Sequence, residues 1–254
     1  MTSGRREPPP EVLMRPEERI QKQVDAIEKI LGLKSRARIL DFGCGRGSQT
    51  LELARRRYRI VGMDRAASAF AEAREQARRE KLTAHFLADD MRSIPYEGEF
   101  NAALNLRNPL GCYESERDDI RCLQGVRRSL RPGGKVLLDL LNREAVVRSL
   151  ADDVGVFDLR TGRLDCRHFQ VRGGSGLKRV PSMRLYTLTE LARMLEDVGL
   201  SLLNAWGDYE QAPYNVASPR LLVLAEAGLV PAKAEPKPED ADLPRTLRIK
   251  GRPR

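Results

Sequence analysis

Residues 39–47 read ILDFGCGRG: an apolar run, one carboxylate at Asp41, then glycines at 43, 45 and 47. Glycine loses more backbone freedom on folding than any other residue, so this cluster marks a sharp turn or a backbone that must touch something. The stretch Ala37–Phe42 has the length and apolar character of a buried strand, and Gly47–Arg57 has the apolar spacing of a helix. A glycine turn between a first strand and a helix N-terminus is where open α/β sheets receive nucleotide-like ligands.

The same alternation continues outward from this stretch. Tyr58–Met63 reads as a second strand, Ala66–Lys81 as an alanine-rich helix and Leu82–Ala88 as a third strand. Phe100–Leu106 supplies a fourth strand, Ser115–Leu130 a helix, and RPGGK turns the chain into a fifth strand, Val136–Leu141. Upstream, Pro16 opens a helical pattern through Ile20, Val24, Ile27, Ile30 and Leu31 that Gly32 can end. After Asn142 the rhythm breaks: Val154–Leu159 and Leu164–Val171 read as two strands joined at Thr161-Gly162, with a glycine-rich break at Gly173–Gly176. A helix at Thr187–Val198 and strands at Leu200–Trp206 and Leu221–Ala225 close the pattern, the last pair antiparallel. The predicted fold is an α/β, Rossmann-like, doubly wound sheet of seven strands. It is mostly parallel with an antiparallel last strand and carries a small β insertion. The predicted organisation is a flexible leader over 1–15, one domain over 16–228 with its insertion at roughly 143–185, and a disordered basic tail over 229–254.

Composition bounds the function classes. A chain of 254 residues, 41% hydrophobic and 32% charged, can bury a sizeable core. No apolar run reaches the roughly 20 residues of a membrane span, and the first residues lack a signal-peptide core. Four cysteines without CxxC spacing predict free thiols and a cytoplasmic protein, with no metal site. The net charge of +9 is assigned to solvated faces and to the tail, whose last ten residues carry five basic and no acidic side chains. A nucleic-acid footprint is the less favoured reading, and the oligomeric state is left open, a homodimer included.

Three acidic sites qualify the glycine turn. Asp41 ends the first strand, where its charge would repel a pyrophosphate and suit a cationic amino group or sulfonium. Asp64 ends the second strand, about 20 residues on, where a carboxylate can bond both ribose hydroxyls. Asp89 and Asp90 follow the third strand, within reach of an adenine amine. A nucleoside joined to an amino acid fits this set better than a dinucleotide.

In this order ILDFGCGRG, VGMD (61–64), FLADDMRSIP (86–95), FNAALNL (100–106) and LRPGGKVLLD (130–139) resemble the class I S-adenosylmethionine-dependent methyltransferases. LLDLLNRE (137–144), RLYTLTELARMLEDVGL (184–200) and WGDYEQAPYNVASPRLLVLAEA (206–227) resemble the branch acting mainly on small molecules. The resemblance covers roughly Pro16 to Ala227. It implies S-adenosylmethionine as cofactor, S-adenosylhomocysteine as product and a small, specialised biosynthetic metabolite as methyl acceptor, with the insertion folded over the acceptor pocket. By this resemblance Gly43, Gly45 and the backbone at Cys44 cradle the methionine part, with Asp41 near its amino group. Asp64 binds the ribose, Met63 and Arg65 flank the adenine, Asp90 and Met91 meet its edge, and Asn105 and Leu106 lie beneath the sulfonium. Arg107, Tyr113, Asn142, Arg184 and Tyr186 are the expected acceptor contacts. Tyr113, Tyr186 and His168 are the candidates for any proton transfer. The chain departs from the family at Arg65, where a smaller or apolar residue is common, and at Arg107 and Pro109.

Two alternatives use the same residues. One is a non-methylating reaction of the same sulfonium, a cyclisation or rearrangement. The other is modification of nucleic acid, against which stands the Leu106-Arg107 that follows Asn105, in place of a Pro-Pro-aromatic run.

Overall fold

The computed structural model describes residues 15–106, 109–150, 156–167 and 181–228. The expected leader and tail and the break at Gly173–Gly176 lie outside these residues. Helix α1 (Pro16–Leu31) starts on its proline, carries Glu17 and Glu18 in its first turn, and ends at Gly32 in the left-handed conformation. Its buried face is Val24, Ile27, Ile30 and Leu31. Then come β1 (Arg38–Phe42), α2 (Ser48–Arg55), β2 (Arg59–Asp64), α3 (Ala71–Arg79), β3 (Ala84–Ala88), β4 (Phe100–Asn105), α4 (Glu116–Ser129) and β5 (Leu130–Leu141). The second half contains α5 (Arg143–Ser149), β6 (Phe157–Asp158), β7 (Arg163–Asp165), β8 (Ser182–Arg184), α6 (Leu188–Asp197), β9 (Leu200–Trp206) and β10 (Arg220–Ala227).

Seven strands form one sheet in the order β3-β2-β1-β4-β5-β10-β9. β1, β2, β3, β4 and β5 pair in parallel, and β10 runs antiparallel to both β5 and β9. The expected doubly wound, mostly parallel sheet is therefore the observed one. Alternation along the strands sorts the core into two layers. Leu40, Phe42, Val61, Met63 and Leu138 pack with Cys122, Leu123 and Val126 of α4 and with Leu191 and Leu195 of α6. Ile39, Ile60, Leu104 and Leu137 pack with Val24 and Ile27 of α1 and Leu53 of α2. The chain winds from β1 to β3 in one direction and resumes at β4 in the other, so the strand order reverses between β1 and β4. A crevice opens there beyond the carboxyl ends of the strands.

The extra sheet, β6-β7-β8, is antiparallel. Leu164, Cys166, Met183 and Leu185 share a small apolar cluster with Leu141 at the end of β5 and Val146 of α5. That cluster seats the sheet over the carboxyl end of β5, as a cap. No helix of the described residues is long and apolar enough to cross a membrane.

Several elements differ from the sequence expectation. The helix expected over Ala66–Lys81 is a 3-10 turn, Ala67–Phe70, followed by α3, because Phe70 turns inward and stacks on Phe86 at 5.4 Å. β5 begins at Leu130, before the glycines: Leu130 pairs with Phe100, and the register shifts between Phe100 and Ala102. Helix α5 and strand β8 are additions. Asn142 caps α5 by accepting from the Glu144 and Ala145 amides.

Candidate active site

All three loop glycines have positive φ: +80° at Gly43, +55° at Gly45 and +71° at Gly47. A Cβ at Gly43 would lie 2.6 Å from Pro109, and one at Gly47 2.6 Å from the Phe86 ring. At Gly45 a Cβ would meet nothing within 4 Å. Gly43 and Gly47 thus admit close neighbours, whereas the space beside the Gly45 Cα is open. The Gly43 and Cys44 amides donate to the Met63 carbonyl at 2.7 and 3.0 Å, folding the turn onto the end of β2.

Asp64 sits on that end. Its Oδ2 accepts from the Gly45 amide at 2.9 Å and its Oδ1 from the Ala66 amide at 3.0 Å. Each carboxylate oxygen has two lone pairs, so among the described residues the amides fix the group and leave one acceptor site on each oxygen. Asp41 is 2% exposed, and its Oδ2 accepts from the Thr50 hydroxyl at 2.6 Å. Between these carboxylates the Cys44 thiol is pushed far above its ordinary range, first by burial and then by Asp41 and Asp64. It stays protonated and is no nucleophile.

Asp90 caps the short 3-10 turn Met91–Ser93. Its Oδ1 accepts from the Arg92 amide at 2.9 Å, Arg92 Nε at 3.0 Å and the Tyr113 hydroxyl at 2.5 Å. Its Oδ2 accepts from Arg92 Nη2 at 2.8 Å, and Arg65 Nη1 lies 3.8 Å away. Burial pushes the Asp90 carboxyl up, but the Arg92 and Tyr113 bonds outweigh it and hold the group well below the usual carboxylate range. The Arg65 and Arg92 guanidinium carbons lie 5.4 and 4.8 Å from the Tyr113 ring centre. Burial, then the bond to Asp90, raises the Tyr113 hydroxyl far above the ordinary phenol range.

At the end of β4, Asn105 is fully buried and donates to the Phe42 carbonyl at 2.8 Å. Its Oδ1 accepts from the Leu110 amide at 3.2 Å, tying β4 both to β1 and to the loop that follows it. Met91 and Leu106 are buried, Met91 beneath Gly43. Asp41, Gly43, Cys44, Gly45, Asp64, Arg65, Asp90, Met91, Asn105, Leu106 and Tyr113 therefore gather at one end of the sheet.

The other expected residues stand elsewhere. Tyr186 donates to Asp119 Oδ2 at 2.6 Å, and burial followed by Asp119 raises its hydroxyl far above the phenol range. Arg184 donates to the Thr161 carbonyl and to Glu190 Oε1, both at 2.7 Å. Asn142, besides capping α5, donates to the Asn215 and Ser218 carbonyls at 3.0 and 2.8 Å. These three hold the cap and the β9–β10 connection. Arg107 and His168 lie outside the described residues.

Sequence reasoning missed Thr50, Asp119 and Arg163. Thr50 stands three residues after Gly47, on the first turn of the helix that the glycines open, and its position could have signalled it. Asp119 and Arg163 carry no such local signal.

The residues fit an adenosyl amino acid. Open space beside Gly45 and the carboxylates of Asp64 and Asp41 suit the hydroxyls and the cationic amine of such a ligand. A pyrophosphate would meet negative charge at both carboxylates. Comparison with known proteins agrees with this chemistry. Residues 39–134 match the family model described as a methyltransferase domain. The cypemycin N-terminal methyltransferase of a Streptomyces species is 26% identical over 203 residues, covering 74% of this chain and 82% of the relative. An S-adenosylmethionine-dependent methyltransferase from Clostridium acetobutylicum superposes with a TM-score of 0.65 at 17% identity, covering 82% of this chain and 92% of that one. The 1,6-didemethyltoxoflavin-N1-methyltransferase of Burkholderia thailandensis superposes with a TM-score of 0.55 at 17% identity, covering 84% and 80%. Glycine turn, acidic ring, sheet order and the methyltransferase domain matched over residues 39–134 together support an S-adenosylmethionine-dependent methyltransferase of the class I type, with S-adenosylmethionine as its cofactor.

Proposed function

We propose that this enzyme transfers the methyl group of S-adenosylmethionine to an oxygen, nitrogen or carbon of a small, specialised metabolite. The observation that carries the reading is the open space beside the Gly45 Cα, with Asp64 bound to the Gly45 amide and Asp41 buried at the end of the neighbouring strand. In this reading the backbone of Gly43, Cys44 and Gly45 holds the methionine part, and Asp41 lies toward its amino group. The spare acceptor sites of Asp64 take the ribose hydroxyls. Met63 and Arg65 flank the base, Asp90 and the Met91 amide read its edge, and Asn105 and Leu106 floor the reacting centre. The small-molecule class is supported by the toxoflavin-type relative, whose solved structure carries 1,6-didemethyltoxoflavin and S-adenosylhomocysteine.

When bound, the cofactor supplies a methyl carbon already activated by positive sulfur. The protein's task is then to align an acceptor behind that carbon and to exclude water. Tyr113 and Tyr186 suit this as wall and support. Each donates its proton to a carboxylate and resists ionisation, so neither is a general base. Arg107, His168, Asn142 and Arg184 are the remaining candidates for the acceptor wall.

The test is incubation with S-adenosylmethionine and candidate metabolite extracts, reading the nucleoside by-product by mass spectrometry. S-adenosylhomocysteine is expected. Methylthioadenosine would reveal cleavage of the amino-acid chain instead and overturn methyl transfer. Asp64→Ala is expected to weaken S-adenosylhomocysteine binding by about 1–3 kcal/mol in calorimetry, the range for lost charge-assisted bonds.

A further inference from the structure

Tyr113, in the loop after β4, is joined to Asp90 by its side chain and to the cap by its main chain. Tyr113 donates its hydroxyl to Asp90 Oδ1, while its carbonyl accepts from Arg163 Nη1 at 3.1 Å. Arg163 belongs to β7, in the cap. It also donates to the Glu114 carbonyl at 3.3 Å, to Ser182 Oγ at 3.1 Å and to the Ser182 carbonyl at 3.4 Å, so one guanidinium bridges the loop to β8. A second weld lies two residues away. The Gly111 carbonyl accepts from the Arg184 amide at 2.8 Å, and a Cβ at Gly111 would collide with the Arg184 carbonyl.

Bond accounting at Asp90 then has a directional consequence. Three donors crowd Oδ1, which exhausts its lone pairs, whereas among the described residues Oδ2 receives Arg92 Nη2 alone within hydrogen-bond distance. Tyr113 and Arg92 therefore fix the carboxylate rotation and leave Oδ2 as the oxygen able to accept another donor.

We propose that Tyr113 and Arg163 are positioning residues: the cap, through Arg163 and the Tyr113 main chain, sets the orientation in which Asp90 Oδ2 reads the exocyclic amine of the cofactor's base. The inference rests on the assignment of Asp90 to the adenine edge. It adds that Tyr113 and Arg163 govern base recognition by acting through Asp90, and that cap and cofactor are energetically coupled. By linkage, a ligand that reorganises the cap shifts cofactor affinity by the same factor as the cofactor shifts its own.

The experiment compares S-adenosylhomocysteine with S-inosylhomocysteine, whose base carries an oxo group where adenine carries its amine. Calorimetry on the full chain gives a base-preference ratio for each protein. The wild type is expected to favour the adenosyl compound by about tenfold or more, the scale of one charge-assisted hydrogen bond. Asp90→Ala should lose that preference. Tyr113→Phe and Arg163→Gln should each cut it by about three- to tenfold, and the double variant should fall no further than Tyr113→Phe, because Arg163 acts through Tyr113. Thermal melts accompany each variant, and Arg163→Lys replaces Arg163→Gln should the latter fail to fold. A general loss of packing would weaken both compounds alike and leave the ratio unchanged.

A wild type indifferent to the base overturns the adenine assignment of Asp90, and the inference with it. A wild type that discriminates, an Asp90→Ala that does not, and a Tyr113→Phe with the full preference overturn the inference alone. An effect at Tyr113 with none at Arg163 overturns the role of the cap.

Discussion

Asp119 shows no solvent exposure, and its two oxygens accept from the Gly111 amide at 2.9 Å and the Tyr186 hydroxyl at 2.6 Å. Burial pushes its carboxyl up to about 6, with these two bonds and Arg163 opposing the shift. Asp90, met by an arginine as well as a tyrosine, moves the other way. The two carboxyls contribute to stability with opposite signs. For Asp119 the native state holds its proton more tightly than the unfolded chain does. Between about pH 4 and pH 6 the folded protein binds more protons, so this contribution falls as pH rises through the window. For Asp90 the native carboxyl is the stronger acid. Its contribution is present above the unfolded value and is lost as pH falls below about 4. Asp119→Asn separates them, because the amide carbonyl can still accept from Gly111 while its NH2 donates to the Tyr186 oxygen. Urea midpoints of wild type and Asp119→Asn, measured from pH 4 to 7, should diverge in favour of the variant as pH rises, by on the order of 2–3 kcal/mol. Parallel curves would show that Asp119 titrates as an ordinary carboxyl.

Among the elements, the glycine turn was the most legible from sequence, because its cause is local. Positive φ at three alternating positions and the absence of room for a Cβ at two of them are properties of the backbone they sit on. Asp41 and Asp64 were legible for the same reason, Asp41 next to last in its strand and Asp64 last in its own, at strand ends that hydropathy marks. Strand β9 falls on its expected residues, since turns and apolar alternation bound it on both sides. Short elements were less legible. Strand β8 has three residues and gains its register only by pairing with β7, and α5 depends on the cap made by Asn142. The glycines themselves separate two physical costs. Gly47→Ala forces a Cβ 2.6 Å from Phe86 and 3.0 Å from Ala73 at φ +71°, adding overpacking to left-handed strain. The expected loss is about 2–4 kcal/mol. Gly45→Ala carries the backbone cost alone, about 1–2 kcal/mol. Equal denaturant midpoints for the two variants would remove close packing as the reason for Gly47.

Across the whole molecule, the long-range polar chains are what a single sequence hides. Tyr113 meets Asp90 over 23 residues and Tyr186 meets Asp119 over 67, and neither periodicity nor turn chemistry encodes such pairings. Another such chain ties α1 to β10. Gln49 donates to Gln23 Oε1 at 2.7 Å, Gln23 donates to the Tyr209 hydroxyl at 2.7 Å, and Tyr209 donates to Asp139 Oδ2 at 2.9 Å. Arg220 closes the chain on Asp139 Oδ1 at 2.6 Å. Five residues from α2, α1, the β9–β10 connection, β5 and β10 are thus joined on the face of the sheet that α1 and α2 cover. Among the described residues no buried side-chain nitrogen or oxygen lacks a hydrogen-bond partner, so losing one member leaves its neighbours short. Tyr209→Phe removes the oxygen that accepts from Gln23 and the proton that Asp139 receives. The expected loss is about 1–3 kcal/mol, the range for leaving a buried polar group unpaired. Gln23→Met removes the other side of the first bond with a side chain of similar volume. If the chain acts as a unit, the double variant should lose less than the two single losses added, by at least about 0.5 kcal/mol in a urea double-mutant cycle. Strict additivity would mean that α1 docks through its apolar face alone, with Tyr209 supporting only β5 and β10.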